Sequence, residues 1–186
     1  MRARELRALL KLRQTTILDP FDLAPKVGLT LMDIADVPVD GAVLQHLLDG
    51  ASDQWSGGVY AKPLPDGTYL CILNPTHDIR RRRITLMEEI AHIFLEHAPS
   101  GVRDVGGISV RDYDSGQEQE AYGVGAAALL PWPAFFSDLN NRSTIEQIAR
   151  KYAVSTALIE YRISITGASN LYKARQRSRI RRRTFS

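Results

Sequence analysis

Between Gln117 and Leu130 the chain sets Ala121, Gly125, Ala126, Ala127 and Ala128 into one helical stretch, which Pro131-Trp132-Pro133 then closes. A helix with so little side-chain bulk gains little from its own residues and holds together only when pressed against a neighbour. The chain is therefore committed to at least one very close helix contact. Its 186 residues suffice for one ordinary core, with or without a small appended module.

Composition narrows the class. A hydrophobic content of 44% and a charged content of 24% are those of a globular protein. There is no apolar run of the length needed to span a bilayer, and MRARELRALLKLRQ lacks the unbroken apolar core of a signal peptide, so a cytoplasmic protein without a membrane role is expected. The single cysteine, Cys71, rules out an internal disulfide framework, and its apolar setting TYLCIL suits a buried structural thiol. The net charge of +3 hides a division. Of 24 basic residues, seven lie beyond Leu171 with no acid among them, so 17 basic residues face 21 acidic ones in the acidic body. Residues 171–186 are read as a basic, disordered tail able to meet a polyanion.

The elements follow from local signals. Arg2 to Arg13 reads as a helix, Asp19-Pro20 as an N-cap with proline in the first turn, and Gly28 as that short helix's end. Leu29 to Ile34 forms a strand, Asp40 to Leu48 a short helix, and GGVYAKPLPDGTYLCILNP a hairpin about Pro65-Asp66-Gly67. PSGVRDVGGISVRDYDSG, with four glycines, makes a loop or a short irregular sheet between two helices.

The chemistry concentrates in TLMEEIAHIFLEH, Thr85 to His97. On a helix Glu88 and His92, four apart, share a face and can reach one ion, while Glu89 lies beside them in the place of a general base. A hydrolytic ion wants a third ligand from elsewhere, and either Glu118 or Glu120 can return to this helix. A competing reading makes Thr85 and Glu88 a capping box, with Glu88 turned to the backbone. His97, five residues after His92, is assigned to another face, with Glu96 the better-placed extra carboxylate.

Arg81 to His92, RRRITLMEEIAH, resembles the R-x-F-T-x-x-H-E-x-x-H helix of the ImmA/IrrE family of metallo-endopeptidases, and EAYGVGAAALLP, Glu120 to Pro131, resembles that family's E-A-x-x-F-A-x-x-L-L-x-P helix. The likeness runs from about Pro20 to Pro131. It implies an α+β, zincin-like domain over residues 1–135, with a small three-stranded sheet and a metal-site helix. It implies Glu89 as the catalytic glutamate and Glu88, His92 and Glu120 as ligands of a divalent metal, with Glu88 standing where the family has histidine. Zinc is the family's metal; manganese or iron suits the carboxylate-rich set. The implied activity is cleavage of a partner protein, a helix-turn-helix repressor, and the alternative is a catalytically inactive relative that binds protein or DNA.

A helix-turn-helix-like module is expected over residues 136–170, from Ser143-Thr144-Ile145-Glu146 as capping box and IEQIARKYAVSTALIEYRI as helix, turn, helix, with Ala153 in the turn. With the tail it offers Arg162, Lys173, Arg175 and Arg177 as candidate DNA contacts, although Glu160 and the scarcity of long donors argue against base reading.

Overall fold

The structure, a computed structural model, describes residues 2–37, 39–50, 54–105 and 107–183. Helix α1 (Arg2–Leu9) is followed by α2 (Pro20–Leu23), whose N-cap Asp19 accepts from Phe21 N at 3.0 Å. A 3-10 turn, Ala24–Val27, ends at Gly28, whose left-handed φ of 77° turns the chain into strand β1 (Leu29–Met32). Asp40 caps the short α3 (Gly41–Gln45), which runs into a π turn at His46–Gly50. Strands β2 (Gly57–Val59) and β3 (Tyr69–Leu73) complete a mixed sheet of order β1-β3-β2, in which β1 is parallel and β2 antiparallel to β3.

Alternation along β3 divides two cores. Cys71 and Leu73, with Leu29 and Val59, face the main core; Ile72 faces a smaller one built from Ile34, Leu47, Trp55, Val105, Ile108 and Val110. The glycine-rich segment is a hairpin of β4 (Gly101–Val105) and β5 (Ile108–Asp112), and a bridge from Tyr60 to Val110 hooks it to the end of β2.

Helix α4 (Ile79–Phe94) crosses the main-core face of the sheet. Its N-cap is Asp78, whose carboxylate accepts from Arg80 N at 2.7 Å and Arg81 N at 3.2 Å. Thr85 and Glu88 thus lie inside the helix, and the capping-box reading of that pair fails because no unpaired N–H remains there to cap. Buried Arg83 fastens α4 to the start of α2, donating to Leu18 O at 2.6 Å and pairing with Asp19 at 3.0 Å.

Helix α5 (Ser115–Leu129) is the small-residue stretch, begun by an Asp114/Gln117 capping box. It runs antiparallel to α4, with Gly125 opposite Met87 and Glu118 opposite His92. A Cβ on Gly125 would stand 3.1 Å from Met87 Cγ and 3.2 Å from Met87 O, a tight approach that α4 would have to yield to by a few tenths of an ångström. Arg7, 1% exposed, locks α1 to the end of α5 by donating to Ala128 O at 2.7 Å, to Arg13 O at 2.6 Å and to Thr16 O.

Pro131 begins α6 (Trp132–Asn140), a helix that local signals did not disclose; the boundary expected at 135 falls within it. Next come α7 (Ile145–Tyr152), α8 (Thr156–Ile165) and α9 (Ser169–Arg183). The α7 box is Thr144 with Gln147, one residue later than expected, and Ala153 takes the left-handed turn conformation (φ 51°, ψ 49°). Ile148, Tyr152, Leu158 and Ile159 lie in the same core as the sheet and α4, so these helices are packed on the domain rather than strung behind it. The tail expected to be disordered is helical through Arg183; residues 184–186 of that reading lie outside the described residues. Among the described residues no helix is long and apolar enough to cross a membrane.

The Gly125 contact is open to test. Gly125→Val should lower unfolding free energy by about 1–3 kcal/mol in urea denaturation, by overpacking against a rigid backbone carbonyl. Unchanged stability would mean that the helices are not held at this distance.

Candidate functional site

The site lies where the last turns of α4 meet the first turn of α5, under the β4–β5 hairpin. His92 is buried, at 2% exposure, and its ring stacks on Tyr113 with centroids 3.7 Å apart and planes 15° from parallel. Its Nε2 stands 3.4 Å from Glu118 Oε2. Its Nδ1 stands 3.0 Å from Nδ1 of His97, whose Nε2 is 3.4 Å from Glu120 Oε2.

The helix-wheel placement of His97 is overturned by the way α4 ends. The helix stops at Phe94 and Glu96 adopts a left-handed φ of 58°, so the chain reverses, His97 N bonds to His92 O at 3.0 Å, and the imidazole swings back onto its neighbour. It is His97, not exposed Glu96, that faces the site. The two α5 carboxylates are thereby divided: Glu118 meets His92, and Glu120 meets His97. A proton on His97 Nε2 facing Glu120 leaves His97 Nδ1 to accept from His92 Nδ1–H, and His92 Nε2 then presents a lone pair toward Glu118. The opposite tautomers move that lone pair to His97 Nε2 facing Glu120, so with both rings neutral one of the two His–carboxylate contacts sets acceptor against acceptor and calls for a proton or a cation.

Electrostatics point the same way. Burial, and after it the charge of Glu118, pushes the Glu88 carboxyl up to about 7. Burial, followed by Glu88 and Glu118, pushes Glu89 up to about 8, although Arg103 and Arg111 on the hairpin pull against this. Glu118 is raised by burial and by Asp112, while His92 is lowered to about 4 by burial and by His97. Cys71 beneath them is fully buried, and burial with the charge of Glu89 raises its thiol well above the ordinary value, which suits an inert structural residue.

A divalent ion fits the donor chemistry of this place. The His92–Glu118 separation of 3.4 Å is roughly that of neighbouring donors around a tetrahedral ion with bonds of about 2.1 Å. The crowded carboxyls are groups that positive charge would relieve. The side chains are not closed round an ion, however: among the described residues no three His, Cys, Asp or Glu side chains are grouped to hold one. Glu88 borders a different hollow of about 490 Å³, with Arg80, Arg81 and Ser155.

Tyr113, Arg103 and Arg111 were not among the residues singled out from the sequence, because a hairpin after a helix gives no periodicity that would place it over the site. The nucleic-acid candidates are scattered. Arg162 is buried at 6% exposure, Arg175 donates to Asn140 Oδ1 at 3.0 Å, and Lys173 and Arg177 are exposed. On α8 the solvent-facing residues are Thr156, Ala157, Glu160, Ser164 and Ile165, with no basic donor among them for a base edge.

The model of a peptidase family, described as the IrrE N-terminal-like domain, matches residues 51–164, which include both α4 and α5. No curated protein matches the chain.

The raised carboxyls give a pH signature. An acid whose pKa is higher in the folded chain contributes stability that is whole at low pH and is lost as pH rises through its folded value, here about 7 for Glu88 and about 8 for Glu89. His92, lowered to about 4, works in the opposite sense, contributing above its ordinary value and losing that contribution as the solution is acidified. Above pH ~6.5 only the carboxyls change. Chelator-treated protein should therefore lose on the order of 2 kcal/mol between about pH 6.5 and 8. Glu89→Gln should flatten much of that fall in pH-dependent denaturation, and an equal slope in the variant would show that Glu89 is not the group concerned.

Proposed function

The chain belongs to the IrrE N-terminal-like family of metallopeptidase domains, and from this we propose that it is a metal-dependent endopeptidase that cuts a regulatory protein of the repressor type. The observation that carries the reading is the meeting of His92 with Glu118 beside the buried Glu89 carboxyl, at the junction of the two family helices. His92 and Glu118 would hold the ion, with Glu88 or Glu120 completing the set. This keeps the resemblance-derived ligands Glu88, His92 and Glu120 in play and adds the carboxylate that stands at His92. Zinc, manganese or iron suits one imidazole with several carboxylates. When bound, the ion would supply a Lewis acid for the scissile carbonyl and an acidified water.

The chain's own residues do the rest. Glu89, once ionised, takes a proton from the attacking water and delivers it to the leaving amine. The Tyr113 ring holds the His92 imidazole in plane, and His97 with Glu120 fixes which nitrogen of His92 carries the proton. Arg103 and Arg111 draw the Glu89 pKa back toward the working range.

A second reading keeps the fold and the groove without the chemistry. It is favoured by Glu88 in the position of the family's first histidine, and by the lack of a closed three-donor group among the described residues. One variant separates the two. With a repressor-type partner co-expressed, Glu89→Gln should lower cleavage by about 10²-fold or more, the scale of a lost general base, while leaving partner binding intact. Cleavage absent from the parent protein while partner binding persists in both forms would establish the non-catalytic reading instead.

A further inference from the structure

On the side of the molecule built from α1, α6 and α8, three arginines line one hollow of about 180 Å³. Arg7 and Arg162 are buried, at 1% and 6% exposure, and Arg4 stands exposed at the rim. Gln14, Trp132 and Pro133 share the lining, which includes no acidic residue. Trp132 is 40% exposed there, leaving part of its indole open to the solvent.

The charge balance of this hollow is unusual. Arg7 spends its Nη groups on three backbone carbonyls, which satisfy its donors without neutralising its charge, and its Nε is buried without a hydrogen-bond partner. Arg162 Nε is likewise buried without a partner. Among the described residues no carboxylate pairs with either guanidinium within 4.0 Å. Burial lowers the pKa of both, the direction expected of a cation that has lost water and gained no counter-ion. A buried and unpaired charge is costly, and an arginine fork matches oxoanions better than any other common group.

We propose that this hollow is a binding site for a phosphate-class dianion, held by Arg162 and Arg4 in the positive field of Arg7, and that the anion clamps the N-terminal helix to α8. A dianion answers the number of guanidinium groups better than a carboxylate does. The open indole at the lip offers a stacking face for the base of a nucleoside monophosphate. The site is separate from the α4–α5 junction and does not depend on the peptidase reading.

The test uses the full chain in a zwitterionic buffer at fixed ionic strength, comparing inorganic phosphate, adenosine monophosphate and chloride by thermal shift and by ³¹P NMR line broadening. Phosphate should raise Tm saturably where chloride does not. Arg162→Gln should weaken phosphate binding by about tenfold or more, the loss of a charged hydrogen-bonding partner. Its own phosphate-free Tm should be equal to or above that of the parent, since a buried unpaired charge has been removed. Arg4→Gln, a rim substitution that leaves the core alone, should weaken binding by roughly threefold, as befits an exposed charge. Equal affinities for phosphate and the nucleotide would assign the site to free phosphate. A tighter nucleotide whose advantage is lost in Trp132→Ala would assign it to a nucleotide. Equal Tm increments from phosphate and chloride would overturn the proposal, as would a phosphate response unaltered in both arginine variants, or binding of a short DNA duplex without binding of phosphate.

Discussion

The close approach of α4 and α5 at Gly125 and Met87 is the contact on which the candidate site depends. With the Met87 carbonyl only 3.2 Å from where a Cβ would sit, the two backbones lie at a distance that a side chain at this position would strain. Because the helices run antiparallel, that contact sets Glu118, two turns back along α5, against His92, somewhat more than one turn on along α4. Gly123 and Gly125 cost α5 local stability, and the capping box at Asp114 and the carbonyl clamp of Arg7 at Ala128 hold its two ends. Packing thus decides where the chemistry is, before any ligand takes part.

What this geometry brings together is electrostatically uncomfortable. Burial raises the carboxyls of Glu88, Glu89 and Glu118, the charge of Glu118 adds to the shift of Glu88 and the charges of both add to that of Glu89, while His92, lowered by burial to about 4, supplies no compensating charge. A fold selected for stability alone would not leave three carboxyls partly desolvated without a matching positive charge. Arg103 and Arg111 offset part of the field at Glu89, but both lie on the hairpin and not within the cluster. The remaining deficit is the physical reason to expect a cation, and it ties function to stability, since whatever neutralises the acids also stabilises the fold.

Much of the fold was legible in the sequence because its signals are local. Asp19-Pro20, Gly28, the paired strand runs and the Ala/Gly-rich helix each specify their own geometry, and the family resemblance implies how they join into an α+β domain with a three-stranded sheet. Legibility failed where a helix ended or began without a local marker. Extrapolating the wheel past Phe94 sent His97 to the wrong side, since the reversal at Glu96 puts a non-glycine residue in the left-handed region. The competing cap at Thr85 arose because Asp78, seven residues earlier, is the true start of α4. The spacing of Glu118 and Glu120 left open which of them would return to His92, and the structure splits them between the two histidines. Basic residues read as a loose tail belong to a helix that Asn140 and Ser143 receive through Arg175 and Gln176.

We propose the α4–α5 junction as a cation site in spite of Glu88 standing where the family has histidine. Its most direct measurement is calorimetric titration of chelator-treated protein with manganese and with zinc near pH 7, in two buffers of different ionisation enthalpy. One ion should bind per chain, with protons released from the raised carboxyls on binding and affinity lost in His92→Ala and Glu118→Gln. Absence of stoichiometric binding by either metal, or binding that releases no proton and survives both substitutions, would contradict it.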